Sequence, residues 1–433
     1  MLGKRLNGVH VPHYKNTTKS EPKRIPTPAQ VIIPMSMHIG APAKVLVKVG
    51  QEVKVGEKIG EAGGFVSAPI HSSVSGKVKM IDEVQMANGS RSPAVVINTD
   101  GLQEVSPDVK PPEVTDLPSF TNAVRESGLV GLGGAGFPSS VKLSPKDPST
   151  IDVLLINGAE CEPFITSDFR TMVDDGEHII KGINYVRKYL GHKKAVIAIE
   201  DNKPQAIKHL KELASKEEDI EVVALPASYP QGGEKVLIYN VLGRIVPQGK
   251  LPSDVGVIVM NVTSTAFLAK YMETGMPLVE KCLTVDGTAV ANPQNVIAPI
   301  GTPYKDIFDF CGGFKSEPKK VLMGGPMMGI AIPSLDLPMV KNNNAVLAFA
   351  KDEALLPPTT ACIRCGKCIA ACPMNLEPVE LEMAYQKKDA VKLKELKVDL
   401  CMECGCCSFV CPARRDLVLN NKLAKALVKE MKV

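Results

Sequence analysis

The chain has 433 residues, 44% of them hydrophobic, and a formal net charge of only +4, which is material for roughly two to four packed domains. The balanced charge, the scarcity of aromatics and the absence of Trp argue against a nucleic-acid surface built on basic patches and base stacking. No apolar run reaches the roughly 18–20 residues that span a bilayer. The opening Met1-Leu2-Gly3-Lys4-Arg5 leads into polar, Pro-rich sequence rather than an apolar signal core, so a cytoplasmic chain is expected. In that compartment twelve cysteines are not expected to pair as disulfides, and nine of them fall within residues 362–411, which points to metal ligation.

Residues 1–30 are polar with no apolar period and read as an extended arm, with His10 and His13 solvated. From 31 to 100, short β-branched runs alternate with glycine turns, the pattern of a small all-β domain. The stretches Val49–Glu57 and Ala68–Val78 resemble the two halves of a biotinyl/lipoyl-type barrel-sandwich domain. Carrier domains of that type present a Lys at the hairpin tip, whereas Ser72 and Ser73 stand here, so an unmodified structural or docking module is expected. Residues 101–117, rich in Pro, Asp and Glu, read as a linker.

Between 118 and 275, strand patterns at 153–157, 195–200, 221–225 and 255–261 alternate with helical ones near 174–189, 203–215, 233–242 and 264–273. That alternation predicts an α/β domain with a mostly parallel sheet. Residues 276–320 read as a small β-rich insert, and 321–354 as a connection carrying the Gly-rich turn Gly324-Gly325-Pro326-Met327-Met328-Gly329. From 355 to 433 the chain is cysteine-rich and helical. A helix over about 413–432 sets Leu419, Leu423 and Leu427 on one face, expected to pack on its own domain or a partner.

The strongest signal is a spacing that occurs twice. Cys362-x2-Cys365-x2-Cys368-x3-Cys372-Pro373 is followed by Cys401-x2-Cys404-x2-Cys407-x3-Cys411-Pro412. Three thiolates two residues apart wrap one face of a [4Fe–4S] cubane, and the fourth, before Pro, ligates the other cluster in two-cluster ferredoxins. The first cluster is then expected on Cys362, Cys365, Cys368 and Cys411, the second on Cys401, Cys404, Cys407 and Cys372. A pair of zinc sites would use paired CxxC motifs instead. Cys406 breaks this scheme: lying beside Cys407 it could swap as a ligand, but a buried free thiol is the expected reading. Cubanes pass single electrons, so a large α/β domain upstream invites an organic redox cofactor.

Gly131-Leu132-Gly133-Gly134-Ala135-Gly136-Phe137-Pro138 contains GxGxxG, but the residues before it, 120–130, are helical in pattern. A dinucleotide fingerprint follows a strand, so that reading fails. A loop without side chains still lets backbone N–H groups approach a phosphate or a flat ring, and Lys142 adds a positive charge. The second loop, Asn157-Gly158-Ala159-Glu160-Cys161-Glu162-Pro163 with Asp168 and Arg170, sits where the first strand ends, the edge at which α/β sheets gather ligands.

Together these loops resemble the flavoprotein subunit of respiratory complex I over roughly residues 120–330. The resemblance implies that the Gly131–Pro138 and Asn157–Pro163 loops bind FMN and NADH, that Tyr229-Pro230-Gln231-Gly232-Gly233-Glu234 and Asn261 to Thr265 complete the site, and that 276–320 is a β-grasp (SLBB-like) domain. It places Gly131, Gly133, Gly134, Gly136, Phe137, Lys142, Asn157, Glu160, Glu162, Tyr229, Gly232, Gly233, Glu234, Asn261 and Thr265 around the cofactors, with Glu160 and Glu162 near the nicotinamide. Leu132 and Gly158-Ala159 depart from the complex I pattern, which has Arg and Ala-Asp there. The whole chain is similar to the RnfC family, through His38–Pro42, Gly63–Pro69, Leu132–Pro138, Gly324–Gly329 and both cysteine runs. That implies a peripheral, cytoplasmic-face subunit of a membrane ferredoxin:NAD⁺ oxidoreductase that pumps ions, with integral-membrane and ferredoxin-type subunits as partners. Hydride exchange would run between NAD(H) and FMN, and single electrons would pass through the clusters. Two other readings fit the same residues: a soluble NADH-dependent donor to an amino-acid reductase, and an iron–sulfur relay without flavin.

Overall fold

The computed structural model describes residues 6–191 and 194–431; the opening Met1–Arg5 of the arm lies outside them. In the first domain, strand alternation buries Val31 and Ile33 on Gln30–Pro34 and Val95 and Ile97 on Arg91–Thr99. These strands pair antiparallel, and Gly76–Gln85 and then Glu52–Val53 extend the sheet. A second sheet of Lys44–Val45, Lys58–Glu61 and Ile70–His71 completes the sandwich. Gly76 is at φ +153, where a Cβ would lie 2.1 Å from the Asn98 carbonyl, so only glycine fits. The hairpin tip is not presented to solvent: Ser72 and Ser73 are buried, and the Ser73 hydroxyl donates to the Ile300 carbonyl at 2.5 Å.

The α/β domain has a four-stranded, all-parallel sheet in the order Ile220–Leu225, Lys194–Glu200, Val153–Gly158, Val257–Asn261. Its inner strands are apolar on both faces, as a sheet covered by helices requires. Helices Gly176–Leu190, Pro204–Ala214, Glu234–Leu242 and Val262–Thr274 lie near their expected positions. Helix Ser167–Asp174 was not expected from periodicity. The last strand begins only at Val257, because a 3₁₀ turn over Pro252–Val255 closes on Gly256 at φ +77. Gly182 packs so closely on the Val262–Thr274 helix that a Cβ would sit 2.1 Å from the Thr265 carbonyl.

The next sheet corrects the expected boundary at residue 320. Its six strands run Lys23–Arg24, Gln294–Pro299, Glu280–Asp286, Ala345–Phe349, Lys320–Met323, Ile330–Ala331. The segment read as a connection therefore supplies three strands, and the arm supplies an edge. Val346 and Leu347 were legible only as apolar residues, because their partners lie some sixty residues upstream, at Val285 and Asp286. The arm, expected to be merely extended, buries Val9, Val11, Thr17 and Ile25; His10 and His13 are exposed, as expected.

The sandwich, the α/β domain and the six-stranded sheet share one continuous apolar core. The C-terminal domain has its own, around Leu381, Leu393, Val398, Ala424 and Val428. Its last helix, Leu417–Met431, buries Leu417, Asn421, Ala424 and Val428. Leu419 and Leu423 are exposed, while Leu427 packs against the domain's core, so only part of the expected apolar face packs within the domain. Among the described residues no helix is long and apolar enough to cross a membrane.

Candidate functional site

Strand order fixes where the cleft lies. From Val153–Gly158 the chain winds outward to one side of the sheet, then returns to place Val257–Asn261 on the other side. The C-terminal ends of these two neighbours form the switch point at which doubly wound sheets bind ligands. Asn157 and Asn261 are register partners there. The Asn261 side chain caps the following helix, accepting from Thr263 and Ser264 N–H at 2.9 and 3.2 Å, and donates to Asp168 Oδ2 at 2.7 Å. Asn157 donates to the Gly232 carbonyl at 2.9 Å.

The glycine loop closes over this edge. Gly131 N–H donates to the Phe137 carbonyl at 2.9 Å, pinching the loop into a hairpin. A Cβ on Gly133 would lie 2.5 Å from Asn261 Nδ2, whereas one on Gly134 would meet open space. Asn342 donates to the Gly134 carbonyl at 2.8 Å, beside Gly136. Lys142 reaches the same edge: its ammonium donates to Glu234 Oε2 and to the Val259 carbonyl, both at 2.9 Å. Gly133, Gly134, Gly136, Lys142, Asn157, Gly232, Glu234 and Asn261 are therefore gathered at one edge of the sheet. They present bare backbone together with amide and ammonium donors, a surface suited to a flat ring with a phosphate.

The two acidic side chains expected near a nicotinamide are used otherwise. Glu160 accepts from Asp168 and Phe169 N–H at 2.6 and 3.3 Å, so it caps the helix Ser167–Asp174. Glu162 accepts from Met327 and Met328 N–H at 3.0 and 2.8 Å, tying the loop to the Gly324–Gly329 turn. A Cβ on Gly325 would lie 2.3 Å from this carboxylate. Burial pushes both carboxyls up to about 7. Their backbone shapes the cleft while their carboxylates hold neighbouring segments. Thr265 also departs from expectation: it is fully buried, and its hydroxyl donates to the Asn261 carbonyl at 2.9 Å. It supports the helix and does not line the cleft.

Tyr229 faces the cysteines. It is buried, and its hydroxyl donates to the Cys404 carbonyl at 2.7 Å. A Cβ on Gly233 would lie 2.2 Å from Met402 Cε. The Tyr229–Gly233 loop thus touches the cleft on one side, through Gly232, and the second cysteine run on the other. Cys161 stands between them, accepting the Gly232 N–H at 3.3 Å, with burial raising its thiol to about 12.

The two cysteine runs fold alike. Arg364 and Glu403, Gly366 and Gly405, and Asn375 and Arg414 all have positive φ, at the same offset that separates the runs. Cys372, Cys401, Cys404, Cys406 and Cys407 line one pocket, so the fourth cysteine of the first run joins those of the second. At the other end Thr360 N–H donates to the Ala413 carbonyl at 3.0 Å, bringing the start of the first run beside the end of the second. Among the described residues no three His, Cys, Asp or Glu side chains gather as a single-ion site. Cys406 is buried, its thiol donating to the Tyr229 carbonyl at 3.8 Å. It thereby contacts the Tyr229 loop from within the cysteine-lined pocket.

Four family models match the chain in order: the RnfC barrel sandwich hybrid domain at residues 4–102, the Nuo51 FMN-binding domain at 124–270, the SLBB domain at 283–331 and a 4Fe-4S dicluster domain at 357–422. The chain is 43% identical over 384 residues to the C subunit of the Na(+)-translocating ferredoxin:NAD(+) oxidoreductase complex of Acetobacterium woodii, covering 88% of this chain and 87% of that one. It is 42% identical to the proton-translocating counterpart of Clostridium ljungdahlii, covering 91% and 87%. It is 37% identical to the C subunit of the ion-translocating oxidoreductase complex of Rhodobacter capsulatus, covering 88% and 75%. Among solved structures, an NAD+-reducing [NiFe]-hydrogenase in the H2-reduced state shares the fold with a TM-score of 0.50 at 18% identity, covering 73% of this chain and 61% of that one. With the four domain models in order and these relatives matched along most of their length, the chain belongs to the RnfC family, the C subunits of ion-translocating ferredoxin:NAD⁺ oxidoreductase complexes.

Proposed function

We propose that this chain is the NAD(H)-handling subunit of a membrane-bound, ion-translocating ferredoxin:NAD⁺ oxidoreductase, held at the cytoplasmic face by integral-membrane and ferredoxin-type partner subunits. When bound, FMN supplies the exchange between the two-electron chemistry of NAD(H) and the one-electron chemistry of two [4Fe–4S] clusters. Gly133, Gly134, Gly136, Asn157 and Asn261 would hold FMN, and Gly131 and Phe137 close the loop. Lys142 spends two of its three donors on Glu234 and Val259, which leaves one for an anionic group. Asn261, held by Asp168, offers a fixed side chain under Gly133.

The inner cluster is assigned to Cys372, Cys401, Cys404 and Cys407, the outer one to Cys362, Cys365, Cys368 and Cys411. Cys372, Cys404 and Cys407 are buried, while Cys362 and Cys365 are exposed. The inner site therefore meets the cleft and the outer one meets the surface, where a partner subunit exchanges electrons. The observation that carries this reading is the shared wall: Tyr229 and Gly233 contact Cys404 and Met402 directly, so the loop at the sheet edge and the cysteine-lined pocket adjoin in one chain.

Anaerobic purification followed by a visible spectrum and iron and flavin counts tests it. One FMN and two cubanes per chain, with bleaching of the cluster absorbance on adding NADH, is the expected result. Clusters without flavin, unreduced by NADH, would leave only an iron–sulfur relay. Isolation free of integral-membrane subunits would favour a soluble donor.

A further inference from the structure

The N-terminal arm contacts the acidic loop, the Tyr229 loop and the end of the first cysteine run. Asn7 Nδ2 donates to Asn375 Oδ1 at 3.2 Å, beside the first cysteine run. Val9 and Tyr229 exchange backbone hydrogen bonds at 2.8 and 2.9 Å. Phe164 N–H donates to the His13 carbonyl at 2.9 Å, the Tyr14 and Phe164 rings stack at 5.0 Å, and the Thr17 and Thr166 hydroxyls meet at 2.6 Å. At the centre of this strap is Lys15. Its ammonium donates to the carbonyls of Glu160, Glu162 and Ile165 at 2.9, 2.8 and 2.7 Å.

Three donors on one nitrogen meet three acceptors on one loop, so the ammonium is fully used. Every acceptor belongs to the acidic loop, and the loop needs such a clamp. Glu160 is at φ +23 and Phe164 at φ +70, conformations that side chains other than glycine disfavour. Three carbonyls turned toward one point would repel one another without a cation between them. Lys203 assists only from the side, pairing with Glu200 at 2.9 Å and reaching the Glu160 carbonyl at 3.4 Å. The same loop carries Asn157, Cys161 and Glu162, which touch Gly232 and the Gly324–Gly329 turn. The region matching the FMN-binding family model, 124–270, contains no part of this strap.

We propose that Lys15 is a positioning residue of the flavin–NAD(H) cleft: by gathering the carbonyls of Glu160, Glu162 and Ile165 around its ammonium, it holds the acidic loop in the conformation that accepts NAD(H). The inference rests on the cleft reading above and adds that the N-terminal strap belongs to the catalytic apparatus. Removing the ammonium releases the loop without touching a cluster ligand or the glycine loop.

The test uses the purified holo-protein and the variants Lys15→Ala and Lys15→Arg. For Lys15→Ala, kcat/KM for NADH with a dye acceptor falls roughly ten- to a hundredfold, the loss appearing in KM. Iron content and dithionite reduction of the clusters match the wild type. Hydrogen exchange quickens in peptides covering 158–169, a readout independent of turnover. Added ethylammonium or propylammonium restores KM, and tetramethylammonium, which has no N–H, does not. Lys15→Arg keeps charge and bulk, but its planar fork does not converge on three carbonyls, so its KM stays raised; this variant decides the matter if the alanine variant does not fold. A wild-type KM in Lys15→Arg, or wild-type KM and exchange in a folded Lys15→Ala, overturns the proposal. A wild-type protein lacking FMN and NADH-driven reduction would sink the cleft reading instead, which keeps the two failures distinct.

Discussion

The Tyr229 hydroxyl donates to the Cys404 carbonyl at 2.7 Å, so the loop that closes the cleft and a proposed ligand of the inner cluster share one buried hydrogen bond. The Cys406 thiol returns the contact, reaching the Tyr229 carbonyl at 3.8 Å. Met402 fills the space over Gly233, and Val9 pairs with Tyr229 from the opposite side. Tyr229 is thus a centre of the contact with the cluster domain, and its part can be tested by single substitutions.

Tyr229→Phe removes only the hydroxyl. The buried Cys404 carbonyl loses its donor, a change that costs about 1–3 kcal/mol. The thermal midpoint should fall, with iron and flavin contents unchanged. Because the lost bond joins the two sites, NADH-driven reduction of the clusters in a single turnover should slow more than NADH binding weakens. Stopped-flow absorbance at the cluster band measures this. Equal cluster reduction rates in variant and wild type would place the electron route elsewhere.

The crossed assignment of the fourth cysteines predicts which substitutions behave alike. Cys372 lines the cavity with Cys401, Cys404 and Cys407, so Cys372→Ala should abolish the same paramagnetic signal as Cys401→Ala. Cys411→Ala should abolish the one lost in Cys362→Ala. Each variant should keep about half of the iron, as loss of one cubane of two requires. Electron paramagnetic resonance of the reduced proteins distinguishes the pairs. If Cys372→Ala instead matched Cys362→Ala, each run would hold its own cluster.

Two adjacent glycines separate a steric from a ligand-binding requirement. A Cβ at 133 would press on Asn261 Nδ2 at 2.5 Å, while at 134 it would meet nothing within 4 Å. Gly133→Ala should therefore shift Asn261 and lower stability even without cofactor. Gly134→Ala should leave the apoprotein's thermal midpoint unchanged and weaken FMN retention, because the added methyl occupies the space assigned to the flavin. Flavin release during gel filtration and apoprotein melting curves give the two readouts. Full FMN retention in Gly134→Ala would move the flavin away from this loop.

Elements of the fold that rest on local pattern were legible in the sequence. The four parallel strands declared themselves by apolar runs between amphipathic helices, and the cysteine spacing carried the cluster sites. The Asn157–Asn261 pairing was not readable, because register between strands a hundred residues apart depends on the whole sheet. The roles of Glu160 and Glu162 misled for a related reason: carboxylates near a ligand edge look functional, yet here backbone N–H groups of residues 168, 169, 327 and 328 take them. Lys15 gave no signal, since a lysine in a polar arm looks solvated until the loop it clamps is in place. The strands at 320–323 and 345–349 were hidden by the glycine turn between them.

Glu162 gives the protein a pH dependence of known sign. Burial raises its carboxyl from 4.5 to about 7, against the opposing pull of the Met327 and Met328 N–H groups. The native state therefore holds this proton to a higher pH than the unfolded chain does. The stability that the raised value contributes is complete below about 4.5 and is lost as pH rises through about 7. Glu162→Gln removes the titration and resembles the protonated carboxyl, with one carbonyl oxygen for the Met327 and Met328 N–H groups. Between pH 5 and 8 the variant's thermal midpoint should fall less steeply than that of the wild type. Glu160, raised to about 7 chiefly by burial, keeps some slope in both proteins. Melting curves across that range decide it: parallel slopes would mean that Glu162 is already ionised throughout, held by the two N–H groups of the Gly324–Gly329 turn.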